Sequence, residues 1–396
     1  MTERHIYLDH AATTPVDERV VAAMLPYFTE QFGNPSSIHR LGRNALEALD
    51  DARETVAAVL GASRKEIIFT GGGSEADNLA IKGVALAQRQ AGKGAHIVIS
   101  AIEHHAVLHS AEYLQAFGFD VTVLPVDASG LISPDALRAA LRPDTVLVSI
   151  MYANNEVGVI QPLAQLGAIC HEHGVPLHTD AVQAAGSLAL NVRELNVDLL
   201  SLAAHKFYGP KGVGVLYVRH GTPLLPQING GGQERRRRAG TENIAGIVGM
   251  AMALRLAEEQ RDQYAAHCTT LRERLLTGLL ESIPHSYLNG HPTQRLPNNA
   301  NIAFDYVEGE SVLLLLDQHG IAASSGSACT SGSLEASHVL LALGMPAERA
   351  IGSVRFTIGA STTAADIDYV LDVLPPLIER LRSVSLAYRD QVLAPA

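Results

Sequence analysis

Short runs of β-branched and other apolar residues alternate with longer amphipathic stretches between about residues 50 and 220. The pattern predicts strands at 67–70, 96–100, 121–124, 145–150, 176–179, 199–202 and 213–218. Helical periodicity lies between several of them, as in 78–90, where Leu79, Ile81, Val84, Ala85 and Leu86 are apolar. Strands alternating with helices predict a mostly parallel α/β sheet covered on both faces. Ligands on such sheets gather beyond the carboxyl ends of the strands. The glycine-rich NGGGQ at 229–233 breaks the alternation, and a long helical region follows over about 244–281. After the turn-rich NGHPTQRLPNN (289–299), short strands are expected near 301–304 and 354–358, within a smaller α+β unit.

Composition narrows the classes. At 396 residues the chain is longer than one comfortable core, so a large and a small unit are expected. A formal net charge of −11 repels a phosphate backbone and excludes a general nucleic-acid binder. No run of 18 apolar residues is present, so no membrane span is expected, and the opening MTERHIYLDH has no signal-peptide stretch. Three cysteines form no disulfide framework, and their scarcity fits a reducing cytoplasm. The one basic cluster, Arg235–Arg238, is readable as a solvated loop.

Several stretches carry candidate chemistry. In FTGGGSEADN (69–78) a strand ends, three glycines follow, and Ser74 opens a helix. Glycines, Gly73 among them, let backbone amides approach a phosphate, and a helix N-terminus is electropositive. Gly71, Gly73 and Ala76 also satisfy G-x-G-x-x-A, but a dinucleotide site wants an acid about 20 residues on, closing the second strand. The plain alternative is a glycine turn with Ser74 as N-cap and Asp77 at N3. In HTDAVQ (178–183), Asp180 ends a strand and Gln183 lies three residues on; a capping pair and a carboxylate facing a protonated ring nitrogen both fit. In SLAAHKFYGPKG (201–212), Lys206 follows an apolar strand and His205. Partly desolvated, it is an amine nucleophile; solvated, it is an ordinary surface lysine.

EHHAVL (103–108) puts His104 just past a strand end, where it can stack on an aromatic ligand, pass protons, or serve structure alone. In VRFTIG (354–359), Val354, Phe356 and Ile358 face one way and Arg355 the other, as an exposed charge or a carboxylate clamp. His171, His173 and His178 lack zinc-site spacing, so no metal is expected. Cys170 and Cys268 lie in apolar helical surroundings and belong in a core, the usual place of a free cysteine. Cys329 instead sits among serines and glycines in SSGSACTSGS (324–333), with nothing apolar nearby to bury it. A phosphate cradle, strand-end acid, lysine, histidine and arginine are together the parts that a pyridoxal phosphate enzyme needs.

The same stretches carry a resemblance. YLDHAATTPVD (7–17), FGNPSS (32–37), EHHAVL, NNEVGV (154–159), HTDAVQ, HKFYGPKG (205–212), RRAGTEN (237–243), SSGSACTS (324–331) and VRFTIG resemble the cysteine desulfurases, in order, from about residue 6 to residue 360. These are class V aminotransferase-like, fold-type I enzymes dependent on pyridoxal 5'-phosphate. The resemblance implies a mostly parallel seven-stranded sheet in a large domain, 16–260. It also implies a smaller α+β domain, 1–15 and 261–396, carrying the nucleophile loop at about 324–333. The implied reaction turns L-cysteine into L-alanine and leaves the sulfur on Cys329 as a persulfide. Iron–sulfur scaffold or sulfur-carrier proteins would receive it, for cluster assembly or tRNA thiolation. Alternatives are selenocysteine lyase or another pyridoxal phosphate β-lyase on the same scaffold, and, from another class, a non-catalytic sulfur-transfer scaffold.

By that resemblance Lys206 would hold the cofactor and move the Cα proton, Asp180 would pair with the ring nitrogen, and Gln183 with the phenolate oxygen. His104 would stack on the ring and shuttle protons. Ser74, Gly73 and His205 would bind the phosphate, with Thr241 reaching in from the second subunit of a homodimer. Arg355 and Asn155 would hold the substrate carboxylate. One position departs from the family, which often has a phosphate-binding serine three residues before the lysine; this chain has Ala203. Ser201 lies two residues earlier, roughly 6.6 Å along a strand, too far to replace it without a shift. Phosphate binding is therefore expected to lean on Ser74, His205 and backbone amides.

Overall fold

The computed structural model describes residues 5–325 and 336–389. Twelve strands run in chain order: β1 (Ile6–Tyr7), β2 (Ile67–Thr70), β3 (His96–Ser100), β4 (Asp120–Leu124), β5 (Thr145–Ser149), β6 (Leu177–Asp180), β7 (Leu199–Ala203), β8 (Gly214–Val218), β9 (Ser286–Leu288), β10 (Asn299–Phe304), β11 (Ile321–Ala322) and β12 (Ser353–Thr357). Seven of them form one sheet in the order β2-β8-β7-β6-β5-β3-β4. From β7 to β4 every pairing is parallel; β8 alone is reversed, antiparallel to both β7 and β2. Because β8 separates them, β2 and β7 point the same way. The carboxyl ends of β2, β3, β5, β6 and β7 therefore open on one edge of the sheet.

The apolar runs form strands here because both faces are covered. The helices Arg40–Leu60 and Ile244–Glu259 pack over Phe69, Val148, Leu177, Leu200 and Leu202. The helices Gly73–Gln90 and His105–Gln115 cover Ile68, Ile97, Leu147 and Leu199. Each wholly buried Ile or Leu contributes about 1.5–3 kcal/mol. The expected strands 145–150 and 176–179 are displaced by about a residue, so Asp180 lies inside β6 rather than after it. The single helix expected over 244–281 is two, Ile244–Glu259 and Arg261–Ser282, joined at Gln260 with φ −104°. Continuous apolar periodicity hid that joint.

A second apolar core lies apart from the large sheet. β10 pairs antiparallel with β12 and with β9, under the helices Arg261–Ser282 and Ala364–Val384. The N-terminal residues belong to this core: β1 pairs with β11, and Ile6 and Leu8 are buried beside Phe304 and Phe356. Cys268 is buried in this core and Cys170 in the large one, and burial pushes both thiols up to about 12. A bridging cluster joins Ile102, Met151 and Val157 to Val339 and Leu340. Among the described residues no helix is long and apolar enough to cross a membrane.

Candidate active site

The glycine turn after β2 is built for a ligand rather than for a cap. Gly72 has φ 153° and ψ −178°, a conformation open essentially to glycine, and nothing lies within 4 Å of a Cβ placed there. It precedes an 18-residue helix, Gly73–Gln90, and makes no side-chain cap bond. The expected Ser74–Asp77 capping box is therefore absent. Ser74 is exposed at the helix start, whereas Asp77 is 1% exposed and faces the sheet. Helix amides left open in this way form an anion site. Ala203 lies directly beneath: a Cβ on Gly73 would meet the Ala203 Cβ at 3.4 Å. Ser201 does not reach the turn, because its Oγ bonds His178 Nε2 at 2.9 Å.

Lys206 follows β7 in the short turn Ala204–Lys206 and is half-buried. Its Nζ donates to the carbonyls of Ala11 at 2.6 Å and Ala12 at 2.8 Å. Gln183 Nε2 donates to the same Ala11 oxygen at 2.9 Å. Residues 181–187 form turns rather than the helix that would put Gln183 on one face with Asp180, and it reaches the site beside Lys206 instead. His205 Nδ1 lies 3.1 Å from Thr13 Oγ1. Burial, then Lys206 and Lys211, push His205 down to about 4, so its ring is neutral. Asp180 is buried, and its Oδ1 accepts from Val182 N at 2.9 Å. Burial raises it, while His104 and Lys206 pull it back. His104 also caps its helix, Nδ1 accepting from Ala106 N at 3.1 Å, which leaves the proton of the neutral ring on Nε2. The structural and the chemical readings of His104 are thus compatible.

Arg355 is no exposed charge. It is 3% exposed, and its neighbours Val354 and Phe356 anchor β12 in the second core. Its Nη1 donates to Asn155 O at 3.0 Å and its Nη2 to Asp9 Oδ1 at 2.9 Å, while its buried Nε has no hydrogen-bond partner. A guanidinium held in place through one N–H on each Nη keeps further donors for a carboxylate. Asp9 went unnoticed in the sequence because its partner lies 346 positions away. Next to Asn155, Glu156 is raised to about 7 by burial and accepts from Ser337 Oγ at 2.5 Å. Cys329 lies outside the described residues.

The basic cluster is partly structural. Glu234, inside the Gln233–Arg236 turn, forms a buried bidentate pair with Arg53 at 2.7 and 2.8 Å and accepts from Phe69 N at 3.1 Å. These contacts hold Glu234, Arg235 and Arg236 at φ 43°, 55° and 64°, three successive left-handed residues without a glycine. Such a backbone costs about 1–3 kcal/mol per residue and persists only where surroundings impose it. Arg235 donates to the carbonyls of Lys65 and Ile67, and Arg238 bonds Glu75 at 2.8 Å, beside the glycine turn. Thr241 follows and is exposed. The three histidines weighed as metal ligands separate: His171 bonds Asp198 at 3.0 Å, His173 a carbonyl, and His178 two serines. No group of three metal-ligating side chains exists among the described residues.

The donor set fits pyridoxal 5'-phosphate. An open helix N-terminus with Ser74 suits the phosphate, a buried acid beside a histidine and a lysine suits the ring nitrogen, and a lysine amine suits the aldehyde. Known proteins agree. The family model for Aminotransferase class-V matches residues 6–370. A cysteine desulfurase IscS from Methanosarcina thermophila is 54% identical over 380 residues, 96% of this chain and 93% of its own. Another from Dictyoglomus turgidum is 53% identical over 383 residues, 97% of each chain. Among solved structures, a NifS-like protein gives a TM-score of 0.89 at 38% identity, over 95% of this chain and 100% of its own. SspA in complex with cysteine gives 0.80 at 37% identity, over 90% of this chain and 100% of its own. With a match that runs from residue 6 to residue 370, this chain belongs to the class-V aminotransferase family, whose members work with pyridoxal 5'-phosphate.

Proposed function

We propose that this protein is a cysteine desulfurase, which converts L-cysteine to L-alanine and carries the sulfur away as a persulfide on Cys329. The observation behind this reading is that Lys206 and Arg355 are braced by one segment, Asp9–Ala12, with Asp180 and His104 in electrostatic contact across the same strand ends. An amino acid whose carboxylate sits on the Arg355 guanidinium has its Cα delivered toward the lysine amine. Near-full-length identity to cysteine desulfurases supplies the substrate.

Residues then take these roles. Ser74, Gly73, the first amides of the Gly73–Gln90 helix and neutral His205 hold the phosphate, and Thr241 of the partner subunit completes it. Asp180 would keep the ring nitrogen protonated, Gln183 would hold the phenolate oxygen, and Lys206 would hold the aldehyde carbon. Bound pyridoxal 5'-phosphate supplies the electron sink that loosens bonds at the substrate Cα. Arg355 and Asn155 orient the substrate carboxylate, Lys206 Nζ takes the Cα proton, and His104 moves protons at the ring face. The Cys329 thiolate attacks the substrate sulfur, the C–S bond breaks, and the carbon skeleton leaves protonated as L-alanine.

Residues 16–260 act in this reading as the cofactor-binding domain, with 1–15 and 261–396 as the domain that carries the clamp and the nucleophile. Separate apolar cores support that division. Large apolar side chains near the N-terminus, Leu25 at 58%, Phe28 at 60%, Phe32 at 65% and Ile38 at 91% exposure, support a second copy of the chain as their cover. A persulfide acceptor, an iron–sulfur scaffold or sulfur carrier, then takes the sulfur, in a reducing compartment such as the cytoplasm. The test is turnover with L-cysteine and no acceptor. One persulfide should form per alanine, Cys329→Ser should keep the cofactor absorbance but make no persulfide, and Lys206→Ala should lose the absorbance. Wild-type protein that stays colourless with pyridoxal phosphate defeats the reading.

A further inference from the structure

Behind Asp180, on the sheet face covered by the Gly73–Gln90 helix, a row of polar side chains interrupts the apolar layer. Ser149 on β5 stands opposite His178 on β6, and Ser201 on β7 stands opposite Asp180. The neighbouring positions Leu147 and Leu199 on this face belong to the apolar core. His178 is fully buried, its Nδ1 2.8 Å from Ser149 Oγ and its Nε2 2.9 Å from Ser201 Oγ. Asp77 enters from the helix above. Ser201 acts on its carboxyl group, and its Oδ1 lies 3.6 Å from His178 Nε2 with no hydrogen-bond partner. The four side chains come from four elements, and none touches the substrate clamp.

The carboxylates around this row cannot all be charged. Asp77, Asp180 and Glu103 are each buried, and the charge of Asp180 raises both of the others. Like charges sharing a buried site force one or more to keep a proton. Of the three, Asp180 alone is pulled back down by basic side chains, His104 and Lys206. Asp77 faces Ser201 and His178, and burial pushes His178 down to about 3, so its ring is neutral.

We propose that Asp77 is a positioning residue that stays a neutral carboxylic acid. It donates to Ser201 and so directs a hydrogen-bond chain from Asp77 through Ser201 and His178 to Ser149, which leaves Asp180 the one charged carboxylate beneath the cofactor ring. The proposal rests on the pyridoxal phosphate reading of Asp180. In this chain the Asp77 O–H points to Ser201 Oγ, the Ser201 O–H to His178 Nε2, and the His178 Nδ1–H to Ser149 Oγ. An ionised Asp77 would reverse every member: Ser201 would donate to Asp77, His178 Nε2–H to Ser201, and Ser149 to Nδ1. It would also set a second negative charge beside Asp180 and draw the ring proton onto that carboxylate. The tautomer of His178 therefore reports the state of Asp77.

The test is nitrogen NMR of holoenzyme labelled with 15N-histidine, with the His178 signals assigned by their shift in Ser201→Ala. The expected result is a protonated Nδ1 and a bare Nε2 at neutral pH. Asp77→Ala, which lacks the donor, should lower kcat about tenfold and shift the pH profile of the cofactor absorbance. Asp77→Asn, whose amide still donates to Ser201, should recover most of that loss. A wild-type His178 protonated on Nε2, or equal losses in Asp77→Asn and Asp77→Ala, overturns the proposal. Wild-type protein that never takes up pyridoxal phosphate defeats the cofactor reading instead, and the same tautomer measurement still decides the direction of the chain.

Discussion

Glu103 is wholly buried and closes β3 just ahead of His104. Its Oε1 accepts from Ser100 Oγ at 2.5 Å and Met151 N at 2.8 Å, while Oε2 has no hydrogen-bond partner. Burial outweighs those bonds and raises its pKa from 4.5 to about 8. Between those values the folded chain holds a proton that the unfolded chain has released. The contribution to stability is therefore complete below about pH 4.5 and is lost as pH rises toward about 8. Glu103→Gln keeps the accepting oxygen and cannot ionise. We predict that variant and wild type unfold alike at about pH 5. At about pH 9 the variant should be more stable by on the order of a few kcal/mol, as read from urea unfolding at each pH. Curves that stay parallel across the range would mean that Glu103 ionises without penalty. Sequence reading could point to the EHH stretch but not to this acid. What raises its pKa is burial supplied by strands and turns up to 48 positions away. Arg355 is the same case: alternation gave its face, and only the fold shows that face to be closed.

Strands were legible wherever a β-branched run was long enough to fill a buried layer. Edges moved by about a residue, and the Gln260 joint and the two-residue strands β1 and β11 left no periodic trace. The glycine turn was legible in the sequence as a break between strand and helix, and Gly72 there takes a conformation that side chains resist. The polar row of Ser149, His178 and Ser201 was harder. Each residue alone looks like an accident in an apolar strand, although the alternate placement of His178 and Asp180 on β6 does put both on one face. Ala203 continues that face on β7, two residues past Ser201, directly under Gly73. A hydroxyl added there would point at the open end of the helix. Ala203→Ser should therefore slow release of pyridoxal phosphate by about tenfold, the effect of one added hydrogen bond to a charged group. Loss of cofactor absorbance during dilution measures it. An unchanged rate would mean that Ser74, His205 and the amides already satisfy the phosphate.

At the scale of the molecule, the arm after Glu234 ties cofactor binding to assembly. The buried Arg53–Glu234 pair fixes three left-handed residues, and the chain then runs past Arg238, used on Glu75, to an exposed Thr241. On the proposed reading, the exposed Thr241 hydroxyl at the end of this arm would serve the other protomer. The exposed Leu25, Phe28, Phe32 and Ile38 give a second copy of the chain an apolar surface to bury. If Thr241 of the partner subunit completes each phosphate site, defects in Lys206 and Thr241 should complement across a mixed dimer. Lys206→Ala inactivates the site in its own protomer but carries an intact Thr241. Thr241→Ala keeps its own lysine but offers nothing to its partner. In the mixed dimer, the protomer with intact Lys206 receives Thr241 from the other, so one site per dimer is whole. We predict alanine release at about half the wild-type rate per dimer, when each homodimer is either dead or poor in cofactor. Coexpression under two affinity tags isolates the mixed species. If Thr241 instead serves its own protomer, the mixed dimer holds one site without a lysine and one without the threonine, and turnover stays at the level of Thr241→Ala.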